Sequence, residues 1–101
     1  MRIFEAMRIV PEQARFFKEK IKAVMPMAAV YLFGSRADNR LKGGDIDILV
    51  VGERILSTQE KRDIKIEFYK KFGEQKVDIV SYLASDRSNF KKMILKEAVA
   101  L

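Results

Sequence analysis

Three aspartates stand inside apolar runs that are typical of β-strands. Asp45 and Asp47 are two residues apart at the start of one run, and Asp78 lies between Val77 and Ile79 in the next. Alternate residues of a strand point to the same face, so the first two carboxylates share one side of the sheet. Neighbouring carboxylates repel, and a divalent cation with oxygen ligands relieves that repulsion. Together the three predict a metal site, although Asp45 alone also fits a turn residue and Asp78 alone also fits one half of an ion pair.

A second polar group follows the preceding apolar run. Gly34 comes directly after Phe33, and Ser35 and Arg36 follow it. Glycine lets the backbone approach a ligand closely, Ser35 can donate a hydroxyl hydrogen bond, and Arg36 can add a charge-assisted one. The pattern predicts phosphate binding by Gly34, Ser35 and Arg36, while Gly-Ser by itself is also a common turn. Further along this loop, Arg40 and Lys42 are candidates for holding a triphosphate or are solvated surface residues.

The composition narrows the chemistry that these residues can perform. The chain has 101 residues and contains neither His nor Cys. This excludes imidazole bases, thiol nucleophiles, Ser-His-Asp triads and zinc sites built on Cys or His. Oxygen-only ligation favours Mg²⁺ or Mn²⁺. The length predicts a single domain, residues 1–101.

The charge balance predicts an anionic partner. Twenty Lys and Arg against fourteen Asp and Glu give a formal net charge of +6, which favours nucleic acid, nucleotide phosphates or an acidic protein, although a Lys-rich solvated surface explains it equally well. No stretch approaches the roughly 20 apolar residues of a membrane span. The N-terminal ten residues make a poor signal peptide because Glu5 and Arg8 interrupt them. We therefore expect a soluble, cytoplasmic protein with no membrane association.

Hydrophobic periodicity supplies the elements that position these residues. A helix is predicted from Pro11 to Pro26, with apolar residues recurring at Ala14, Phe17, Ile21 and Val24. Strands are predicted over Ala28–Phe33, Asp45–Val51 and Lys76–Leu83, with a short helix or loop at 36–44 and an ambiguous segment at Met1–Val10. The second strand is apolar on both faces, as a covered central strand is.

Capping signals mark the other helices. Ser57 and Glu60 form a capping box at the start of one helix, and Gly73 is placed to end it. The last helix is predicted to start at Asp86 or Ser88. Its expected apolar face consists of Phe90, Met93, Ile94 and Ala98. The order of elements predicts an α/β fold: a small mixed β-sheet of at least three strands packed against helices.

From about Pro11 to Leu101 the chain resembles the DNA polymerase β nucleotidyltransferase superfamily. The resemblance rests on Gly34-Ser35, the Asp45-Ile46-Asp47 triplet ten residues later, and the strand carrying Asp78. The size of the chain and its C-terminal segment are similar to those of the minimal nucleotidyltransferases, which are the antitoxin halves of HEPN–MNT toxin–antitoxin pairs. The resemblance implies a nucleotidyltransferase fold. It also implies that Asp45, Asp47 and Asp78 are catalytic and bind two Mg²⁺ ions, with Mn²⁺ as an alternative.

The same resemblance implies a reaction and a partner. A nucleoside monophosphate, AMP from ATP, would pass to a hydroxyl acceptor, with Gly34, Ser35 and Arg36 holding the β- and γ-phosphates. The proton would go to Asp78 or to a metal-bound oxygen. The acceptor would be a tyrosine of a HEPN-type toxin, because a chain this short has little room for an acceptor-binding domain of its own. A homodimer is another possible source of that surface.

Two other functions remain open from the sequence. The chain could be a non-catalytic antitoxin or assembly subunit that inhibits its partner sterically, or a nucleic-acid-binding module. Direct nucleic-acid binding is disfavoured because no aromatic-basic stacking platform is evident. Phe16 and Ile66 lie off the main helix faces and are candidates for a partner surface, or for a second layer of the core.

Overall fold

The computed structural model describes residues 9–34 and 45–101, which contain alternating helices and strands. Their helices are α1 (Pro11–Val24), α2 (Thr58–Phe72) and α3 (Asn89–Glu97), and their strands are β1 (Ala29–Phe33), β2 (Ile46–Gly52), β3 (Val77–Leu83) and β4 (Val99–Ala100). The predicted segment 36–44 and the first eight residues lie outside this part of the chain. None of the described helices is long and apolar enough to cross a membrane.

The strands form a mixed sheet in the order β3-β2-β1-β4. β2 runs antiparallel to β1 and parallel to β3, and β4 runs antiparallel to β1. The predicted α/β fold with a mixed sheet is confirmed, and β2 is central as expected, with Ile48, Leu49 and Val50 fully buried. The fourth strand was not predicted, because two residues are too few to show an alternating pattern.

Helices α1 and α2 bury their apolar faces together with one face of the sheet. Phe17 of α1 stacks on Phe68 of α2 with ring centroids 4.9 Å apart. The suggestion that Phe16 belongs to a partner surface is wrong, because Phe16 is only 6% exposed and packs edge-on against Phe17 and Phe72. α1 contacts both the sheet and α2, so its buried stripe is wider than a single row of residues. Val24, expected in that stripe, is instead exposed.

The predicted capping box of α2 is confirmed. Ser57 Oγ accepts a hydrogen bond from the Glu60 N–H at 3.1 Å, and Glu60 Oε1 accepts one from the Ser57 N–H at 2.9 Å. At the other end, Gly73 has φ of 90° and its N–H donates to the Tyr69 carbonyl. These caps satisfy backbone groups that a helix leaves without partners, and so they fix where α2 begins and ends.

The face of α3 differs from the prediction. Ser88 is its N-cap, one of the two expected residues, but Phe90 and Met93 are 70% and 66% exposed rather than buried. Ala98 follows the end of the helix at Glu97. The expected apolar stripe on α3 is therefore mostly wrong.

The residue that α3 buries is Lys91. Its Nζ donates to three backbone carbonyl oxygens, and we call this group the lysine socket: Leu83 at 3.0 Å, Ala84 at 2.8 Å and Asp86 at 2.9 Å. An ammonium group has three N–H donors, so every donor of Lys91 has a partner. The socket ties the start of α3 to the turn that follows β3.

Candidate functional site

Two of the three predicted carboxylates lie directly opposite one another in the sheet. Asp47 of β2 is the register partner of Asp78 of β3 in a parallel pair. Ile46 and Ile48, which flank Asp47, belong to the helix-packed core. Because side chains alternate along a strand, the carboxylates of Asp47 and Asp78 leave the opposite face of the sheet, side by side.

The electrostatics of Asp47 are those of a crowded carboxylate. Its pKa is raised above the usual value, first by burial and then by the negative charges of Asp78 and Asp45, while Lys76 acts in the opposite direction. A raised pKa means that the ionised form is disfavoured where it stands. A cation at this position would reverse that preference.

Asp45 lies one residue before β2, at the same end of the sheet. Its Oδ2 is 3.6 Å from Nζ of Lys76, and both side chains are substantially exposed, so this ion pair contributes little to stability. Sequence reasoning did not single out Lys76. The available signal was its position just before β3, two residues ahead of Asp78.

We call Asp45, Asp47 and Asp78, together with Gly34, the carboxylate edge. Within residues 9–34 and 45–101, no three acidic side chains converge closely enough to hold a metal ion as they stand. The donor set nevertheless suits one, since all its ligand atoms are carboxylate oxygens and two of the carboxylates share a register position. Asp45 would join them only by turning away from Lys76.

Gly34 completes this edge from the end of β1. Phe33, the residue before it, pairs with Asp47, and Gly34 itself has φ of 74°, a conformation that side chains disfavour. A Cβ atom at Gly34 would collide with Asp47 Oδ2 and lie 3.3 Å from Asp47 Cγ. Glycine is therefore required here for two independent reasons. Ser35 and Arg36, and also Arg40 and Lys42, lie outside the described residues.

Comparison with known proteins adds a family and a set of structural neighbours. Residues 16–101 match the family described as polymerase beta, nucleotidyltransferase. No curated protein matches the chain.

Three similar solved structures come from toxin–antitoxin complexes. A mutant MntA–HpeT complex gives a TM-score of 0.64 at 19% identity, covering 91% of this chain and 71% of that chain. A tri-AMPylated HEPN toxin in complex with MNT antitoxin, from Shewanella oneidensis, gives 0.62 at 18% identity, covering 88% and 68%. A toxin–antitoxin structure with AMP-PNP gives 0.66 at 18% identity, covering 86% and 70%.

At these identities the likeness to the solved structures establishes the fold. The family match extends over most of the chain and includes both strands of the carboxylate edge. The chain belongs to the polymerase beta nucleotidyltransferase family.

Proposed function

We propose that this protein is a metal-dependent nucleotidyltransferase that moves AMP from ATP to a hydroxyl group, and that it serves as the antitoxin of a HEPN–MNT pair by adenylylating a tyrosine of its toxin. The observation that carries the chemistry is the side-by-side placement of Asp47 and Asp78, with Gly34 leaving the space beside them free of a side chain. Such a reaction requires ATP in the surroundings, which makes the cytoplasm the expected compartment.

Each residue of the edge has a task in this proposal. Asp47 and Asp78 hold two Mg²⁺ or Mn²⁺ ions, joined by Asp45 once it leaves Lys76. When bound, these ions neutralise the triphosphate and favour ionisation of the attacking hydroxyl. Gly34, with Ser35 and Arg36 after it, contacts the β- and γ-phosphates. The hydroxyl oxygen forms a bond to the α-phosphorus, the bond to the bridging oxygen breaks, pyrophosphate leaves, and Asp78 accepts the hydroxyl proton.

The proposed partner follows from the structural neighbours. One of these structures contains a tri-AMPylated HEPN toxin in complex with an MNT antitoxin, and another is a toxin–antitoxin structure with AMP-PNP. A toxin tyrosine is therefore the acceptor that we propose, and ATP the donor. Adding AMP to it would place a negative charge and a bulky group on the toxin.

A purely steric antitoxin is the second candidate. It is favoured by the ion pair between Asp45 and Lys76 and by the lack, among the described residues, of three acidic side chains close enough to hold a metal ion. In that case the fold would bind its partner and the carboxylates would be dispensable.

The decisive experiment incubates the purified protein with its HEPN-type partner, ATP and Mg²⁺, and measures the partner's intact mass. We expect a gain of one or more adenylate units. The gain should disappear in Asp47→Asn and on chelation of the metal, and it should persist in Asp63→Asn, an exposed aspartate on α2. No gain with the parent protein would contradict the enzymatic proposal. Neutralisation of the toxin in cells by Asp47→Asn would establish the steric one.

A further inference from the structure

Helix α3 presents large apolar side chains to solvent on a basic surface. Phe90 and Met93 are 70% and 66% exposed, although each is large enough to anchor an interface. They lie three positions apart, so they are neighbours on one side of the helix. Adjacent exposed apolar side chains mark a docking surface more often than isolated ones do.

The charged residues around this pair are mostly positive. Lys92 and Lys96 are exposed on α3, Arg87 is exposed just before it, and Glu97 is the opposing negative charge. At 100° per residue, the order around the helix is Lys92, Lys96, Met93, Glu97 and Phe90. We call Phe90, Met93, Lys92 and Lys96 the α3 face. A surface complementary to the α3 face would combine an apolar pocket with carboxylates at its border.

The lysine socket makes the α3 face rigid. Lys91 is 7% exposed, and its three hydrogen bonds fix the first turn of α3, which carries Phe90 and comes directly before Met93. A surface held in one orientation before binding loses less conformational entropy when a partner docks. This argues for binding to a defined protein surface.

The topology brings the end of α3 at Glu97 to the carboxylate edge, whereas Phe90 lies in the first turn, nearer the opposite end of the sheet. α3 starts beside the carboxyl end of β3 and leads into β4, where Val99 lies opposite Leu32. Leu32 is followed by Phe33, the register partner of Asp47. The helix therefore runs back along the sheet to the end where the carboxylates stand.

The handedness of the connections between strands indicates on which face of the sheet α3 lies. The connections β2–α2–β3 and β3–α3–β4 join parallel strands and cross the sheet in opposite directions. Both are expected to be right-handed, which puts α2 and α3 on opposite faces. Leu49, which points away from the α1 and α2 side, is fully buried, in agreement with a covering helix there. α3 then shares its face with Asp47 and Asp78.

From these observations we infer that the α3 face is the docking surface for an acidic protein partner, which it holds with its acceptor group at the carboxylate edge. The inference rests on the proposed function for the identity of the partner. A nucleic acid is a poorer match, because a single aromatic side chain does not make a stacking platform.

The test measures the dissociation constant for the HEPN-type partner without nucleotide or metal, in the Asp47→Asn background as well as the parent. Phe90→Ser and Met93→Ser should each weaken binding about tenfold or more. Met27→Ser, which removes an 80% exposed methionine after α1, should leave it unchanged. Unfolding curves of every variant check that the fold is kept, as the exposure of these side chains predicts.

A charge reversal tests the acidic character of the partner. Lys92→Glu with Lys96→Glu should weaken binding and reduce its dependence on salt. The matched control is Lys18→Glu with Lys22→Glu, an exposed pair with the same spacing on α1. A photocrosslinker at position 90 should attach to the partner and so identify the contact point. Replacing the partner's acidic residues beside that contact point with Lys should restore its binding to the Lys92→Glu, Lys96→Glu variant.

Several outcomes overturn the inference. The first is that Phe90→Ser and Met93→Ser both bind the partner as tightly as the parent does. The second is that the charge reversals on α1 and α3 weaken binding equally, and the third is that the parent does not bind the partner. Sensitivity to Phe90→Ser that appears only with phosphatidylserine vesicles or oligonucleotides also overturns it, in favour of a membrane or nucleic acid. Loss of binding in the α3 variants without adenylylation by the parent keeps the docking surface and rejects the enzyme. Adenylylation by the parent, together with unchanged binding in the α3 variants, keeps the enzyme and rejects the docking surface.

Discussion

The carboxylate edge and the lysine socket both keep charged groups partly or fully out of water, but they treat them in opposite ways. Lys91 Nζ has a carbonyl oxygen for each of its three protons. Asp47 lies beside Asp78, and burial together with the negative charges of Asp78 and Asp45 raises its pKa. A buried charge with all its partners stabilises a fold, whereas like charges held together destabilise it.

This difference separates a structural role from a functional one. Removing Lys91 takes away a satisfied group and leaves three carbonyls without it. Removing the charge of Asp47 takes away a repulsion that the fold otherwise tolerates. We therefore expect stability to depend on the lysine socket, and activity to depend on the carboxylate edge.

The largest expected effect is on catalysis. Asp47→Asn should reduce the rate of AMP transfer by about a thousandfold, because a lost metal ligand costs several kcal/mol of transition-state stabilisation. Its unfolding midpoint in metal-free buffer should be unchanged or higher, since the substitution relieves like-charge repulsion. A rate assay and a thermal melt of the same sample provide both measurements. A marked loss of stability in Asp47→Asn would mean that the carboxylate edge, like the lysine socket, stabilises the fold.

The next largest effect concerns Lys91. Lys91→Met keeps an unbranched side chain but leaves the socket carbonyls unpaired, and should lower the free energy of unfolding by about 3 kcal/mol. Urea denaturation provides the value, and Lys92→Met on the exposed side of α3 is the control. A cost as small as that of the control would mean that water replaces the ammonium group without penalty.

Binding of metal and ATP should relieve part of the repulsion between the carboxylates of the carboxylate edge. Mg²⁺ or Mn²⁺ together with ATP, at about a hundred times the dissociation constant, should stabilise the fold by ~2.7 kcal/mol and raise the melting temperature by several degrees. Chelation should reverse the shift, and Asp47→Asn should abolish it. A shift of equal size in Asp47→Asn would place the binding site elsewhere.

The smallest effect comes from a carboxylate that does have partners. Arg54 and the Ser57 N–H lower the pKa of Glu60 from 4.5 to about 2. Because the folded-state pKa is lowered, this stabilisation is present above pH 4.5 and is lost as the pH falls towards 2.

Glu60→Gln should therefore melt slightly below the parent at neutral pH, and the difference should narrow across that acid range. The effect is small because the pair lies at the surface. Glu67→Gln, which removes another surface ion pair, serves as the control. A difference that persists at the lowest pH would point to packing rather than charge as its cause.

The sequence predicted the parts of the fold that follow local rules. The capping box at Ser57 and the end of α2 at Gly73 depend on residues a few positions apart, and both are confirmed. The two strands that carry Asp47 and Asp78 were predicted, but their parallel pairing was not, because strand order depends on contacts between distant segments. The roles of these aspartates, and of Ser35 and Arg36, stay predictions.

The predictions of burial are wrong where contacts with a distant part of the chain determine which side chain is buried. Phe16 is buried because α2 brings Phe68 and Phe72 against it, which periodicity within α1 cannot reveal. Lys91 is buried because three carbonyls of a preceding turn converge on it, and backbone groups leave no trace in residue type. With Lys91 on the buried side of α3, Phe90 faces solvent instead of the core.

The end of α2 has a consequence for the field at the carboxylate edge. Gly73 terminates this helix four residues before β3 begins, so its carbonyl end lies near the end of the sheet that carries Asp78. A helix carries about half a negative charge at that terminus. The backbone of α2 thus reinforces the negative potential of the aspartates, and cations are drawn to this edge by the polarity of the fold as well as by its side chains.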